Sequence, residues 1–315
     1  MTQNIPRIEL RDYTEGTPEQ RSRFIKVLGD GLCHFGFLAV GGHGLDPQLI
    51  EKCYADFRNF FALDAETKKK YDCVPGGQRG YTPFGVEQAK DANVPDLKEF
   101  WHIGREMGPD HPYKGDYPDN VWPDEVPALK NDALELYNRM EDCARIILQA
   151  LADYFELPVN TFSDMIEDGD SVYRIIHYPA LDKAMPKGAI RAAAHEDINM
   201  ITLLTESQGS GLEILTHEGT WLAVEALAGD IIVDSGDMLS RVTNSLIPAT
   251  THRVVNPCEQ TNRARYSMPF FVHPYAACDL TVLDRFVSEE NPVKWSPITA
   301  REFLKQRLKE IGLLA

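Results

Sequence analysis

The chain has 315 residues, 43% of them hydrophobic and 25% charged, with a formal net charge of −16. The acidic balance excludes nucleic acid and anionic membrane surfaces as partners, since both need basic patches. No run reaches transmembrane length, and residues 1–7 lack the apolar core of a signal peptide. Six cysteines without a Cys-x-x-Cys pattern read as reduced core thiols, so the expected compartment is the cytoplasm.

Residues 1–125 read as the approach to a barrel. Ile8, Leu10 and Tyr13 predict a short first strand, and residues 18–34 predict a helix that opens on Pro18 and carries Phe24, Val27, Leu28 and Leu32 at helical spacing. Residues 35–40 form a strand broken by Gly41-Gly42, which leaves His43 as a turn residue. A second helix runs from Pro47 through Phe57 and Phe60-Phe61. A short one follows, with Lys68-Lys69-Lys70 expected as a solvated face. Residues 74–125, rich in Gly, Pro and Asp, are irregular. Segments of that kind carry function in compact proteins, and part of the substrate pocket is expected around Tyr81, Phe84 and Lys98-Glu99-Phe100-Trp101.

A long helix is predicted at about 127–155, with Leu134, Tyr137, Met140, Ile147, Leu148, Leu151 and Phe155 on its apolar stripe. Its expected task is to support a sheet. Val172–Pro179, Trp221–Val224 and Ile231–Val233 are strand-like runs separated by Gly, Pro and Asp turns, which predicts a double-sheet jelly roll over 171–274. The fold class is therefore α+β, a double-stranded β-helix (jelly-roll) core with flanking helices. The expected organisation is an N-terminal region of helices, strands and pocket loops (1–125), the core with its supporting helix (126–280) and a C-terminal helix (281–315), in one structural unit. The amphipathic run from Thr299 to Lys309 either closes over the pocket or packs on the outside.

The chemistry sits in two stretches of the core. Ala192 to Leu204 reads as one largely apolar strand containing His195-Glu196-Asp197. Alternation along a strand turns His195 and Asp197 the same way, roughly 6–7 Å apart at the backbone, with Glu196 opposite. His252 lies in a second β-rich run. Two imidazoles and one carboxylate are the facial set that leaves positions open on non-haem Fe(II). Arg265 and Ser267 again share a strand face, and a buried guanidinium needs an anion that suits its planar fork.

With these residues in place the sequence resembles the Fe(II)- and 2-oxoglutarate-dependent oxygenases of the isopenicillin N synthase type. The resemblance is carried by His195-x-Asp197, His252, and Arg265-x-Ser267 thirteen residues after that histidine. Gly229–Leu239, Thr243-Asn244, Phe270-Phe271, Gly36-Phe37, His43-Gly44 and Asp96–Phe100 are further landmarks, spread from about residue 5 to the C-terminal helix. It implies that His195, Asp197 and His252 ligate Fe(II), while Arg265 and Ser267 bind the far carboxylate of 2-oxoglutarate. Tyr178, a tyrosine before proline, would donate a third hydrogen bond to that carboxylate. O₂ is the second co-substrate, and oxidative decarboxylation of 2-oxoglutarate to succinate drives attack on an unactivated C–H, with hydroxylation as the default. An amino acid, a small peptide or a natural-product intermediate is the expected substrate.

Charge counting agrees with a dianion, because Fe²⁺, ionised Asp197 and Arg265 sum to +2. A substrate thiolate on iron with a carboxylate on Arg265 balances equally, so an oxidase acting without 2-oxoglutarate stays open. A Zn²⁺ hydrolase on the same three ligands leaves Arg265-x-Ser267 unexplained, and a non-catalytic binding module has no need of an open iron position. Two positions depart from the family's commonest pattern: Ile176 replaces an asparagine two residues before the tyrosine, and Asp234 replaces one before Gly236-Asp237.

Overall fold

The computed structural model describes residues 4–72, 74, 78–86, 96–180, 190–205, 211–257 and 262–310. The N-terminal part contains β1 (Arg7–Glu9), α1 (Leu10–Thr14), α2 (Pro18–Phe35), β2 (Phe37–Gly41), α3 (Pro47–Phe61), α4 (Ala65–Lys69), β3 (Gly80–Thr82) and β4 (Glu99–Gly104). Next come α5 (Leu129–Tyr154), α6 (Ser163–Ile166), β5 (Val172–Tyr178), β6 (Ala192–His195), β7 (Ile201–Leu204), β8 (Leu212–Leu215), β9 (Trp221–Ala223) and β10 (Ile231–Ser235). The chain ends with α7 (Asp237–Val242), β11 (His252–Val254), β12 (Arg265–Ser267), β13 (Pro269–Val272) and α8 (Ala300–Glu310). The expected first strand stops at Glu9, and Leu10 and Tyr13 bury themselves from a helical turn instead.

Two sheets form the jelly roll. The larger runs β1-β2-β10-β7-β13-β5-β4-β3, with β12 also on β5, and the smaller runs β6-β11-β8-β9. Only the β1–β2 pair is parallel among the described ladders. Helix starts follow local chemistry. Thr17 and Gln20 make a capping box ahead of Pro18, and Asp46 caps α3 ahead of Pro47. Gly36 ends α2 in the left-handed region at φ 66°, where a Cβ would lie 2.1 Å from Thr250 Oγ1.

Strand alternation divides the larger sheet into a structural and a chemical face. Trp101 and Ile103 on β4, Tyr173 and Ile175 on β5, Ile201 and Leu203 on β7 and Phe270 on β13 join the main core with α3 and α5. Tyr137 of α5 meets Phe270 edge-on at 4.9 Å, the sheet-supporting task expected of the long helix. The alternate residues face the barrel interior, where Phe100, Ile176, Tyr178, Ala192 and Val254 form a separate apolar cluster.

This division corrects two expectations. Lys68 is buried, not solvated; its Nζ donates to Glu99 Oε2 at 2.8 Å and to the Phe61 carbonyl. Tyr81 donates to the same Glu99 oxygen, and His177 Nδ1 lies 2.8 Å from the other. Burial pushes the Glu99 carboxyl up, but His177, Lys68 and Tyr81 outweigh it and leave it below the ordinary range. Tyr81, Glu99 and Trp101 therefore face the core rather than the substrate pocket. Phe84 stays exposed, near the His177 ring. Lys68→Met strips Glu99 of its cation in a dry setting and should lower the unfolding free energy by about 3 kcal/mol in a urea titration. An unchanged midpoint would mean that this pair carries no stability.

Candidate metal centre and co-substrate pocket

Between the sheets opens a cavity whose wall includes His195, Asp197, His252, Arg265, Ser267 and Tyr178. All six residues singled out in the sequence thus meet in one place. His195 ends β6 and is the cross-strand partner of His252 on β11, so the smaller sheet delivers both rings, with centroids 4.4 Å apart. Asp197 Oδ1 lies 3.8 Å from Nε2 of each histidine. One donor atom from each residue lies within 4.8 Å of the other two, and the three could hold a metal ion.

The expected single strand from Ala192 to Leu204 is in fact two. It breaks after His195, where the chain leaves the smaller sheet for the larger, and Asp197 sits on the crossing at 196–200. The first turn of α7 holds that crossing. Asp237 N–H donates to the Asp197 carbonyl at 2.8 Å, Met238 N–H to Asn199 at 3.0 Å and Gly236 N–H to Met200 at 3.0 Å. These are helix-start donors that would otherwise lack partners. Gly236 is required by the close approach, because a Cβ there would lie 2.3 Å from the Asn199 carbonyl oxygen. Arg307 of α8 pairs with Asp237 at 2.8 Å, and Phe303 is buried in the core. Helix α8 therefore packs on the outside: none of its described residues lines the cavity.

Hydrogen bonds set the state of each candidate ligand. The Nδ1 atoms of His195 and His252 lie 2.8 Å and 3.1 Å from the carbonyls of Ala193 and Thr250. Each carbonyl accepts a hydrogen bond from Nδ1–H, which fixes the tautomer and turns a bare Nε2 toward the cavity. Burial, then the facing His252 ring, lowers the His195 pKa to about 4, so that ring is neutral at pH 7. Burial alone would push Asp197 up, yet His252, His195 and the Thr202 hydroxyl overcome it and hold its carboxyl below the usual range. Thr202 donates to Asp197 Oδ2 and accepts from Asn199 Nδ2 at 2.8 Å. Asp234, whose Oδ2 is 3.5 Å from His252 Nδ1, is pushed well above the carboxylate range by burial and by Asp197. Thr202, Asn199 and Arg174 were not anticipated. A polar residue at an inward β position of an apolar strand was the available signal for Thr202 and Arg174.

The anion end lies on β5 and β12. Arg265 pairs in register with Tyr178 and Ser267 with Ile176. Arg265 is 2% exposed, and its guanidinium carbon stands 5.1 Å from the Tyr178 ring centre. Ile176, at the position of the expected asparagine, joins the interior apolar cluster. Two imidazoles and a carboxylate gathered on one side leave the other side to exogenous ligands, which is the requirement of a non-haem iron oxygenase.

The comparisons agree. Residues 5–125 match the family model for the N-terminal region of a non-haem dioxygenase in morphine synthesis, and residues 169–274 match the model of the 2OG-Fe(II) oxygenase superfamily. A 2-oxoglutarate-Fe(II) type oxidoreductase of Aspergillus fumigatus is 30% identical over 302 residues, covering 92% of this chain and 88% of its own. A solved 2OG-Fe(II) oxygenase family protein from Caulobacter crescentus superposes with a TM-score of 0.89 at 43% identity, covering 98% of this chain and all of its own. A full-length Neurospora crassa protein solved in complex with alpha-KG and thymine gives 0.86 at 26% identity, covering 97% of this chain and 96% of its own. The chain belongs to the 2OG-Fe(II) oxygenase superfamily, in its isopenicillin N synthase-like branch. It is a 2-oxoglutarate-dependent dioxygenase that uses Fe(II) and O₂.

Proposed function

We propose that His195, Asp197 and His252 hold the Fe(II), that Arg265, Ser267 and Tyr178 hold the far carboxylate of 2-oxoglutarate, and that the reaction hydroxylates a small organic molecule. Substrate, 2-oxoglutarate and O₂ become hydroxylated product, succinate and CO₂. The observation that carries this reading is the triad itself: three donor atoms within 4.8 Å, with both imidazoles locked to present Nε2. The donor set suits ferrous iron, because imidazole and carboxylate on one face leave room for a chelating keto acid and for O₂. Iron, when bound, supplies the means of activating O₂ against a C–H bond. The protein's own residues do the rest. Carbonyls hold the Nδ1 protons, Asn199 and Thr202 steady Asp197, and Arg265 with Ser267 orients the keto acid. Ile176, Leu204 and Val254 keep the interior apolar.

The substrate is proposed to be an amino acid, a small peptide or a natural-product intermediate. A proline hydroxylase of Petromyces alliaceus, 29% identical across 96% of this chain, supports that range. The 1–125, 126–280 and 281–315 regions are proposed to act as one unit in the cytoplasm. The test is spectroscopic. Anaerobic Fe(II) protein mixed with 2-oxoglutarate alone should develop the weak visible charge-transfer band of a keto acid chelating iron, and His252→Ala should lose it. A parent protein that lacks the band at saturating 2-oxoglutarate, yet changes its spectrum with a thiol substrate, would be an oxidase.

A further inference from the structure

Strand β5 offers the cavity wall three inward positions, Arg174, Ile176 and Tyr178, and two of them have been placed. Tyr178 belongs to the anion end with Arg265, and Ile176 stands opposite Ser267. Arg174 lines the same cavity as His195, Asp197 and His252. It lies four residues from Tyr178, about 13 Å along the strand. The four carbon–carbon bonds of 2-oxoglutarate, about 1.5 Å each, stretch over roughly 5 Å. A keto acid held by Arg265 therefore does not also need Arg174.

The surroundings hold this guanidinium in place. Its Nε donates to Nε2 of His102, its cross-strand partner on β4. Its carbon stands 4.4 Å from the ring centre of Phe100 and 5.3 Å from that of Phe271, two aromatic faces that hold the plane of the fork. Phe271, Ile176 and Pro269 continue the wall as apolar surface. A planar fork held in place suits a carboxylate, and the apolar wall beside it suits a carbon skeleton.

Resting on the function proposed above, we propose that Arg174 anchors the primary substrate through a carboxylate. The substrate class is then an organic acid with an apolar skeleton, bound so that a C–H of that skeleton faces the metal. Arg265 and Arg174 divide the two acids of the reaction, one for the co-substrate and one for the substrate.

The experiment uses anaerobic Fe(II) protein saturated with 2-oxoglutarate and a panel of aryl, alkyl and cyclic amino monocarboxylates, each paired with its primary amide. Perturbation of the charge-transfer band is read first, and acceleration of succinate release on admitting O₂ second. At least one carboxylate should perturb the band, with its amide roughly 10- to 100-fold weaker, the size of a charged hydrogen bond. Arg174→Gln should bring carboxylate and amide to equal strength while the band with 2-oxoglutarate alone persists, which also shows that the variant folds. Arg174→Lys should keep part of the preference. The proposal is overturned if Arg174→Gln retains the carboxylate preference, or if no carboxylate in the panel perturbs the band. It is equally overturned if Arg174→Gln raises the 2-oxoglutarate requirement as Arg265→Ala does. Absence of the band in the parent protein would instead sink the co-substrate reading on which this one rests.

Discussion

Asp197→Ala is expected to abolish turnover and to weaken Fe(II) binding by more than the roughly 10- to 100-fold typical of losing an outer partner. Asp197 is the sole anion among the three candidate ligands, so its removal takes away the charge that offsets the metal as well as one donor. Thr202→Val removes only the hydroxyl that donates to Asp197 Oδ2 and should fall within that 10- to 100-fold range. Glu196→Ala is the control. Glu196 is exposed and accepts from Thr251 Oγ1 at 3.1 Å, away from the triad, so the variant should bind iron and turn over as the parent does. Equilibrium dialysis against ferrous iron under anaerobic conditions orders the three. An Asp197→Ala protein that binds Fe(II) as tightly as the parent and remains active would remove this carboxylate from the coordination sphere.

The contrast between Asp197 and Glu196 was legible in the sequence, but for an incomplete reason. Alternation along one strand sends the two side chains to opposite sides. The structure does so with a strand that ends at His195 and a crossing that α7 holds by three backbone N–H groups. Those contacts join residues nearly forty positions apart, and no local pattern reports them. The periodic elements were readable because a single face had to be buried: α2, α3, α5 and β5 fall close to the spans that their apolar spacing predicts. Lys68 failed for the converse reason. A run of three lysines reads as solvated, and only the fold brings Glu99, Tyr81 and His177 to the first of them. Arg174 was not anticipated: a polar residue in an apolar strand was the available signal, but its importance depends on which strands flank it. Cys53, Cys143 and Cys278 are buried free thiols and Cys33 a partly buried one; Cys73 and Cys258 lie outside the described residues. Among the described residues no helix is long and apolar enough to cross a membrane.

Arg265→Ala should leave iron in place and raise the 2-oxoglutarate requirement steeply. Truncating one partner of a buried, charge-assisted pair costs about 2–5 kcal/mol, or roughly 30-fold to several-thousand-fold in apparent affinity. The site supports the upper part of that range, because Arg265 is 2% exposed and water replaces a lost guanidinium poorly there. Ser267→Ala gives up one hydrogen bond, about 1 kcal/mol, or roughly fivefold. The charge-transfer band measures both effects without turnover: at limiting 2-oxoglutarate it should fade in Arg265→Ala and return at high concentration, and in Ser267→Ala it should shift only slightly along the titration. A keto acid that lacks the far carboxylate makes the assignment specific. The parent should bind pyruvate far more weakly than 2-oxoglutarate, while Arg265→Ala should lose most of that preference and keep only the small part that Ser267 and Tyr178 supply. Equal and small effects from Arg265→Ala and Ser267→Ala, or an undiminished preference for 2-oxoglutarate in Arg265→Ala, would move the co-substrate's far carboxylate to another cation of the cavity.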